Sequence, residues 1–119
     1  VNNAGMAKFV PLATTPIDLF VKTFDVNVKS VLVLSQLALP HLIKSKGTIV
    51  NVSSIATQAV SEGAGVYAMS KAAVDQFTKT FALENSVHGV RVNAVNPGMV
   101  MTNLFSEGVR DMVSLNNKS

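Results

Sequence analysis

Tyr67-x-x-x-Lys71 is the pair on which chemistry can be built. Residues four apart on a helix share a face, so a phenol and an ammonium can point the same way. A phenol, with a pKa of about 10, is a poor acid or base at neutral pH. A cation fixed beside it favours phenolate and lowers that value, each unit being worth about 1.4 kcal/mol. A tyrosine tuned in this way can give and take a proton. The same spacing also arises by chance on amphipathic helices. Here, however, Tyr67 is the only tyrosine in the chain, and it follows a loop at the carboxyl end of an expected strand.

Other residues gather around this pair in the sequence. Ser53-Ser54 closes the preceding strand, and a hydroxyl there can hydrogen-bond an oxygen on which charge develops. Serines at strand ends also satisfy turn backbone, and strand periodicity does not choose between the two. Asn27 lies between Val26 and Val28 in a helical pattern, where a buried amide needs a partner or a water. Asn2-Asn3-Ala4-Gly5 and Asn96-Pro97-Gly98 are turn sequences, the latter with the Thr102 hydroxyl four residues beyond Gly98. Each of these is ordinary turn or core chemistry when taken alone.

The elements that must position them are legible from periodicity. Val1 to Gly5 reads as the tail of a strand entering a tight turn. Thr15-Pro16-Ile17-Asp18 reads as a helix start, with Thr15 as N-cap, Pro16 at the first helical position and Asp18 at the capping-box position. That helix is expected to reach about Leu39, where Pro40 ends it or allows one further turn. Thr48 to Ser53 is a β-branched run after Gly47 and reads as a buried strand. Val66 to Asn85 is a second helix, closed by Gly89, and Val90 to Val95 is the next strand. Strand, helix, strand, helix, strand with long crossovers means parallel strands joined right-handedly. Ligands of such sheets sit beyond the carboxyl ends of the strands, and that is where the residues above fall.

Composition narrows the classes further. The chain has 119 residues, 48% apolar and 14% charged, against about 25% charged in ordinary soluble domains. That is unusually apolar for so short a chain, which points to a piece of a larger fold. Cysteine is absent, which removes disulfides and thiolate chemistry. His41 and His88 stand alone, and no metal site is expected. Ten Lys+Arg against seven Asp+Glu are scattered singly, so no nucleic-acid partner is expected. No uninterrupted apolar run reaches the roughly 18 residues of a membrane span. The longest, Val26 to Leu39, is broken by Asn27, Lys29, Ser30, Ser35 and Gln36.

In order and spacing, these motifs resemble the short-chain dehydrogenase/reductase family from Asn2 to about Thr102. The resemblance rests on Asn2-Asn3-Ala4-Gly5, Asp25-Val26-Asn27-Val28, the Ser54/Tyr67/Lys71 set, and Pro97-Gly98-Met99-Val100-Met101-Thr102. It implies an α/β fold, a partial doubly wound Rossmann-like parallel sheet equivalent to strands four to six of seven. It implies an oxidoreductase using NAD or NADP to interconvert a small carbonyl compound and a secondary alcohol. Tyr67 is then the acid/base, and Ser54, rather than Ser53, holds the substrate oxygen. Lys71 lowers the Tyr67 pKa and holds the nicotinamide ribose, while Asn27 holds a water leading from Lys71 to solvent. Asn3, Ala4 and Gly5 support the adenosine side. Pro97, Gly98, Val100 and Thr102 flank the nicotinamide, with Thr102 near its carboxamide.

The family's glycine-rich pyrophosphate turn is not in this sequence, nor is the position that selects NAD or NADP. By that reading the 119 residues are the catalytic half of one domain and are expected to be inactive alone. The alternative is a scaffold or binding protein on the same fold. Residues Ile55 to Val66 and Met99 to Phe105 are expected to line a mostly apolar pocket, with Gln58, Ser61 and Glu62 as polar exceptions. The resemblance implies a homodimer or homotetramer paired through the two long helices, and the cytoplasm is the default compartment.

Overall fold

A computed structural model describes residues 1–2, 5–54 and 60–96. Two parallel strands form its sheet, β1 (Thr48–Val52) and β2 (Arg91–Val95), with Ile49 opposite Val92 and Asn51 opposite Ala94. Asn2 bridges β1 from the other side: its N–H donates to the Val50 carbonyl at 2.8 Å, and its carbonyl accepts from the Val52 N–H at 3.0 Å. β1 is therefore the central strand. Parallel neighbours must be joined by crossovers, and the helices here supply them. The arrangement is α/β and Rossmann-like, as the alternation of patterns implies.

The expected first strand is reduced, among the described residues, to that one bridge. Met6 offers its N–H and carbonyl not to a strand but to the side chain of Asn27, at 2.7 and 2.9 Å.

One continuous helical stretch follows in three parts: α1 (Ile17–Phe24), a π-helical turn (Asp25–Lys29) and α2 (Ser30–Ser45). Its start corrects one expectation. Thr15 does not cap it. A 3-10 turn at Leu12–Thr14 brings the Pro11 carbonyl round, and the Thr15 hydroxyl donates there at 2.9 Å. Pro16 takes the N-cap position without a side-chain bond, and Asp18 Oδ1 accepts from the Leu19 N–H. Its end takes the later of the two options left open, since the helix passes through Pro40 to Ser45. Proline removes one helical hydrogen bond, which frees the carbonyl one turn earlier. Pro40 and Gln36 both lie on the exposed side, where water can take that carbonyl. Termination comes at Lys46, in the left-handed region at φ 53°, with the Gly47 N–H reaching back to Leu42.

Taken whole, Ile17–Ser45 is long and apolar enough to cross a bilayer by length and composition alone. The sequence reading missed this because it sought an unbroken apolar run. The inner side of the helix nonetheless carries buried polar groups, Thr23, Asn27 and Ser35, and Asn27 bonds to Met6 and Ser70.

α3 (Gly65–Asn85) crosses from β1 to β2, with bounds within a residue of those expected. Ile49, Val90 and Val92 form a core with Leu39, Leu42, Ile43, Phe81 and Ala82 packed against it. Within this apolar setting Asn51 is fully buried. It accepts from Asn2 Nδ2 at 2.8 Å and donates to Thr78 Oγ1 at 2.9 Å, so strand end, central strand and α3 share one polar seam. Burying an amide is tolerable only with such partners.

Candidate active site

Two loops and three helical segments converge at the carboxyl end of β1. Tyr67 and Lys71 lie on the first turns of α3, on its buried side. The Tyr67 ring packs with Ala7, Phe9 and Ala64, and its centroid is 6.3 Å from that of Phe9. Lys71 Nζ stands 5.9 Å from the Tyr67 ring centroid, within range of a cation–π attraction. The same ammonium donates to the Val52 carbonyl at 3.1 Å, the last residue of β1. The helix therefore delivers phenol and ammonium to one place, as four-residue spacing requires.

The two serines separate cleanly. Ser54 is hydrogen-bonded to the Tyr67 side chain. Ser53 turns the other way and donates to the Lys71 carbonyl at 3.2 Å, fastening the strand end to α3. Periodicity alone left these two open.

Asn27 is wholly buried. Its Oδ1 accepts the Met6 N–H, while its two Nδ2 hydrogens go to the Met6 carbonyl and to Ser70 Oγ at 2.9 Å. Only the second lone pair of Oδ1 is left on this side chain for a water. The turn around it is π-helical, with the Ser30 N–H bonded to Asp25. The Ser30 hydroxyl takes the Val26 carbonyl instead, the partner that an α-helical N–H would have had. Gly5 sits against this junction. A methyl placed on it would lie 3.4 Å from Lys71 Nζ and 3.5 Å from Asn27 Oδ1. Gly5 thus lies close against the ammonium, and Lys71 as a whole is buried.

Burial pushes the Tyr67 phenol above its ordinary value, and the bond to Ser54 opposes that rise. Burial lowers the Lys71 ammonium itself, while Asp75 one turn on raises it. Both groups are therefore biased toward their neutral forms. Tyr67 is 3% exposed.

The structure brings Gly5, Asn27, Ser54, Tyr67 and Lys71 together. Asn3, Ala4, Pro97, Gly98, Val100 and Thr102 lie outside the described residues, as do 55–59 and 99–105 of the expected pocket lining. Val60, Ser61 and Glu62 are exposed. Among the described residues no cluster of His, Asp and Glu could hold a metal. Sequence reasoning missed Met6 and Ser70. Met6 acts through its backbone and leaves no side-chain signal, whereas Ser70 was visible as a small polar residue just before Lys71.

A family model described as short chain dehydrogenase matches residues 1–112. L-xylulose reductase of Homo sapiens is 42% identical over 106 residues, covering 87% of this chain and 43% of that protein. L-fucose dehydrogenase of Mus musculus is 41% identical over 111 residues, covering 90% of this chain and 40% of that protein. Among solved structures, a gluconate 5-dehydrogenase from Burkholderia cenocepacia J2315 in complex with NADP and tartrate superposes with a TM-score of 0.86 at 27% identity, over 94% of this chain and 44% of its own. An NAD+-bound xylitol dehydrogenase gives 0.77 at 32% identity, over 82% and 38%. The chain spans about two fifths of the length of the curated relatives it matches.

Because Tyr67 is the only tyrosine and tryptophan is absent, tyrosinate ultraviolet absorbance reports on this one phenol. Titration of the cofactor-free chain is expected to give a midpoint above the ordinary value of about 10, and Ser54→Ala is expected to raise it further. The unfolded chain sheds that proton first, so this group's contribution to stability is intact below about 10 and lost as pH rises beyond it. A midpoint at or below the ordinary value contradicts the electrostatics given above.

Proposed function

The chain belongs to the short-chain dehydrogenase family, and on that footing we propose that the protein carrying it is an NAD(P)-dependent oxidoreductase. It interconverts a carbonyl compound and a secondary alcohol. The observation that carries this reading is the convergence of Ser54 and Lys71 on Tyr67 at the carboxyl end of β1. NADP in one solved relative and NAD+ in another support a nicotinamide dinucleotide as the cofactor class.

The residues fit such a cofactor. Lys71 Nζ carries three hydrogens and donates one to Val52, which leaves donors for the ribose hydroxyls. The bare Cα of Gly5 leaves room beside it. When bound, the nicotinamide ring supplies or accepts the hydride. The chain's own work is proton handling and orientation. In reduction the Tyr67 hydroxyl gives its proton to the carbonyl oxygen as that oxygen gains charge, and Ser54 donates a hydrogen bond to the same oxygen. A raised phenol value keeps Tyr67 protonated at neutral pH, as a donor must be. Lys71 stabilises the phenolate left behind, and a proton returns to Tyr67 from solvent by way of Lys71 and a water held at Asn27. In oxidation the same proton runs backward.

Asn3, Ala4, Pro97, Gly98, Val100 and Thr102 are assigned to the cofactor by family position. The 119 residues alone contain no glycine-rich turn for the pyrophosphate, so we assign turnover to the longer protein and none to this stretch by itself. The longer protein is proposed to self-associate through α2 and α3. Leu32, Val33, Leu34 and Leu37 on α2 are exposed apolar residues suited to a mate.

Tyr67→Phe in the protein carrying this chain is expected to lower kcat by at least about 100-fold while it still binds NADH or NADPH. Lys71→Met is expected to lower kcat and to weaken cofactor binding together. Near-normal turnover of Tyr67→Phe with any carbonyl substrate contradicts the assignment. Sedimentation is expected to give a dimer or tetramer; a strict monomer removes the proposed association.

A further inference from the structure

α3 carries two hydroxyls that do the same structural job two turns apart. Ser70 accepts from Asn27 Nδ2 at 2.9 Å and donates to the Tyr67 carbonyl at 2.7 Å. Thr78 accepts from Asn51 Nδ2 at 2.9 Å and donates to the Val74 carbonyl at 2.8 Å. Both are buried, and each satisfies a fully buried asparagine. They differ in what they hold. Thr78 latches α3 to Asn51 of β1, two turns along the helix from Ser70. Ser70 latches it to the π-helical turn, and its hydrogen goes to the peptide of Tyr67 itself. Its neighbour Lys71 lies against the same junction, at Gly5 and Val52.

We propose that Ser70 is a positioning residue, the latch that fixes the Tyr67–Lys71 turn of α3 against Asn27 and so sets where the ammonium stands relative to the phenol and the cofactor. The inference rests on the proposed roles of Tyr67 and Lys71. Without the Ser70 hydroxyl, one Asn27 N–H is left buried without its acceptor, and a buried donor in that state draws in water or moves its backbone. The segment this loosens is the first turns of α3, which Ser53 still holds at the Lys71 carbonyl, since Oδ1 and the other Nδ2 hydrogen keep Asn27 on Met6.

Thr78 supplies the matched control. Ser70→Ala and Thr78→Val each remove one hydroxyl from a buried amide on the same helix, and both are expected to lower Tm by similar amounts. In the protein carrying this chain, Ser70→Ala is expected to weaken NADH or NADPH binding several-fold, measured by fluorescence titration without turnover. It is also expected to lower kcat at neutral pH about tenfold and to displace the pH limb of kcat. Thr78→Val is expected to leave binding and limb unchanged. Ser70→Thr keeps the hydroxyl and is expected to recover both, even where its added methyl lowers Tm. If Ser70→Ala loses stability as Thr78→Val does but keeps wild-type cofactor affinity and pH limb, Ser70 is structural only and the inference is overturned. Lys71→Met separates the two levels of the account. If it too leaves affinity and limb unmoved, the failure lies in the role given to Lys71. If it moves them while Ser70→Ala does not, the failure belongs to Ser70 alone.

Discussion

A carboxamide with no access to water must find its hydrogen bonds in the protein. Asn27 is in that position, and its bonds reach Met6 on the chain leaving the sheet and Ser70 on α3. Three segments distant in sequence are thereby pinned at one point. The π-helical turn follows from this demand. A regular α-helical register would carry the amide round the helix axis and away from Met6, so the helix widens by one residue locally. Ser30 covers the carbonyl that this slip would leave without its usual partner. The cost of an irregular turn is set against the larger cost of an orphaned buried amide.

Lys71 inherits its position from this junction, and its charge from its burial. An ammonium beside a buried phenol, with a strand carbonyl as its acceptor, is disfavoured as a cation and yet held where phenolate would need it. The resting pair is thus biased to neutral tyrosine. In the proposed reaction, stabilisation by Lys71 becomes important when the phenol gives up its proton.

Much of the fold was legible because it rests on local pattern. α3 declared itself through its apolar spacing and the small-residue loop before it, and β1 and β2 through β-branched runs bounded by Gly47 and Gly89. Tyr67 and Lys71 could be picked out by spacing, whereas Ser54 rather than Ser53 came from the family resemblance. What was not legible depends on contacts far along the chain. The π turn is set by a bond across 21 residues, and no helical propensity encodes it. Thr15 lost its capping role to a carbonyl brought round by a neighbouring 3-10 turn. Which of its two options Pro40 would take depended on the Gln36 carbonyl it frees lying on the exposed side. Asn51 stood in plain view as a polar residue inside an apolar strand, and its meaning appears only once Asn2 and Thr78 are beside it.

The central claim is that the buried Asn27 amide, through Met6 and Ser70, holds the reactive turn of α3 in place. The most direct measurement is a crystal structure of the Asn27→Leu variant, which keeps bulk and removes the amide. The account predicts that residues 25–29 relax toward α-helical register and that Lys71 Nζ leaves the Val52 carbonyl. A structure in which the π turn persists, with Ser70, Lys71 and Tyr67 on their present partners, would contradict it.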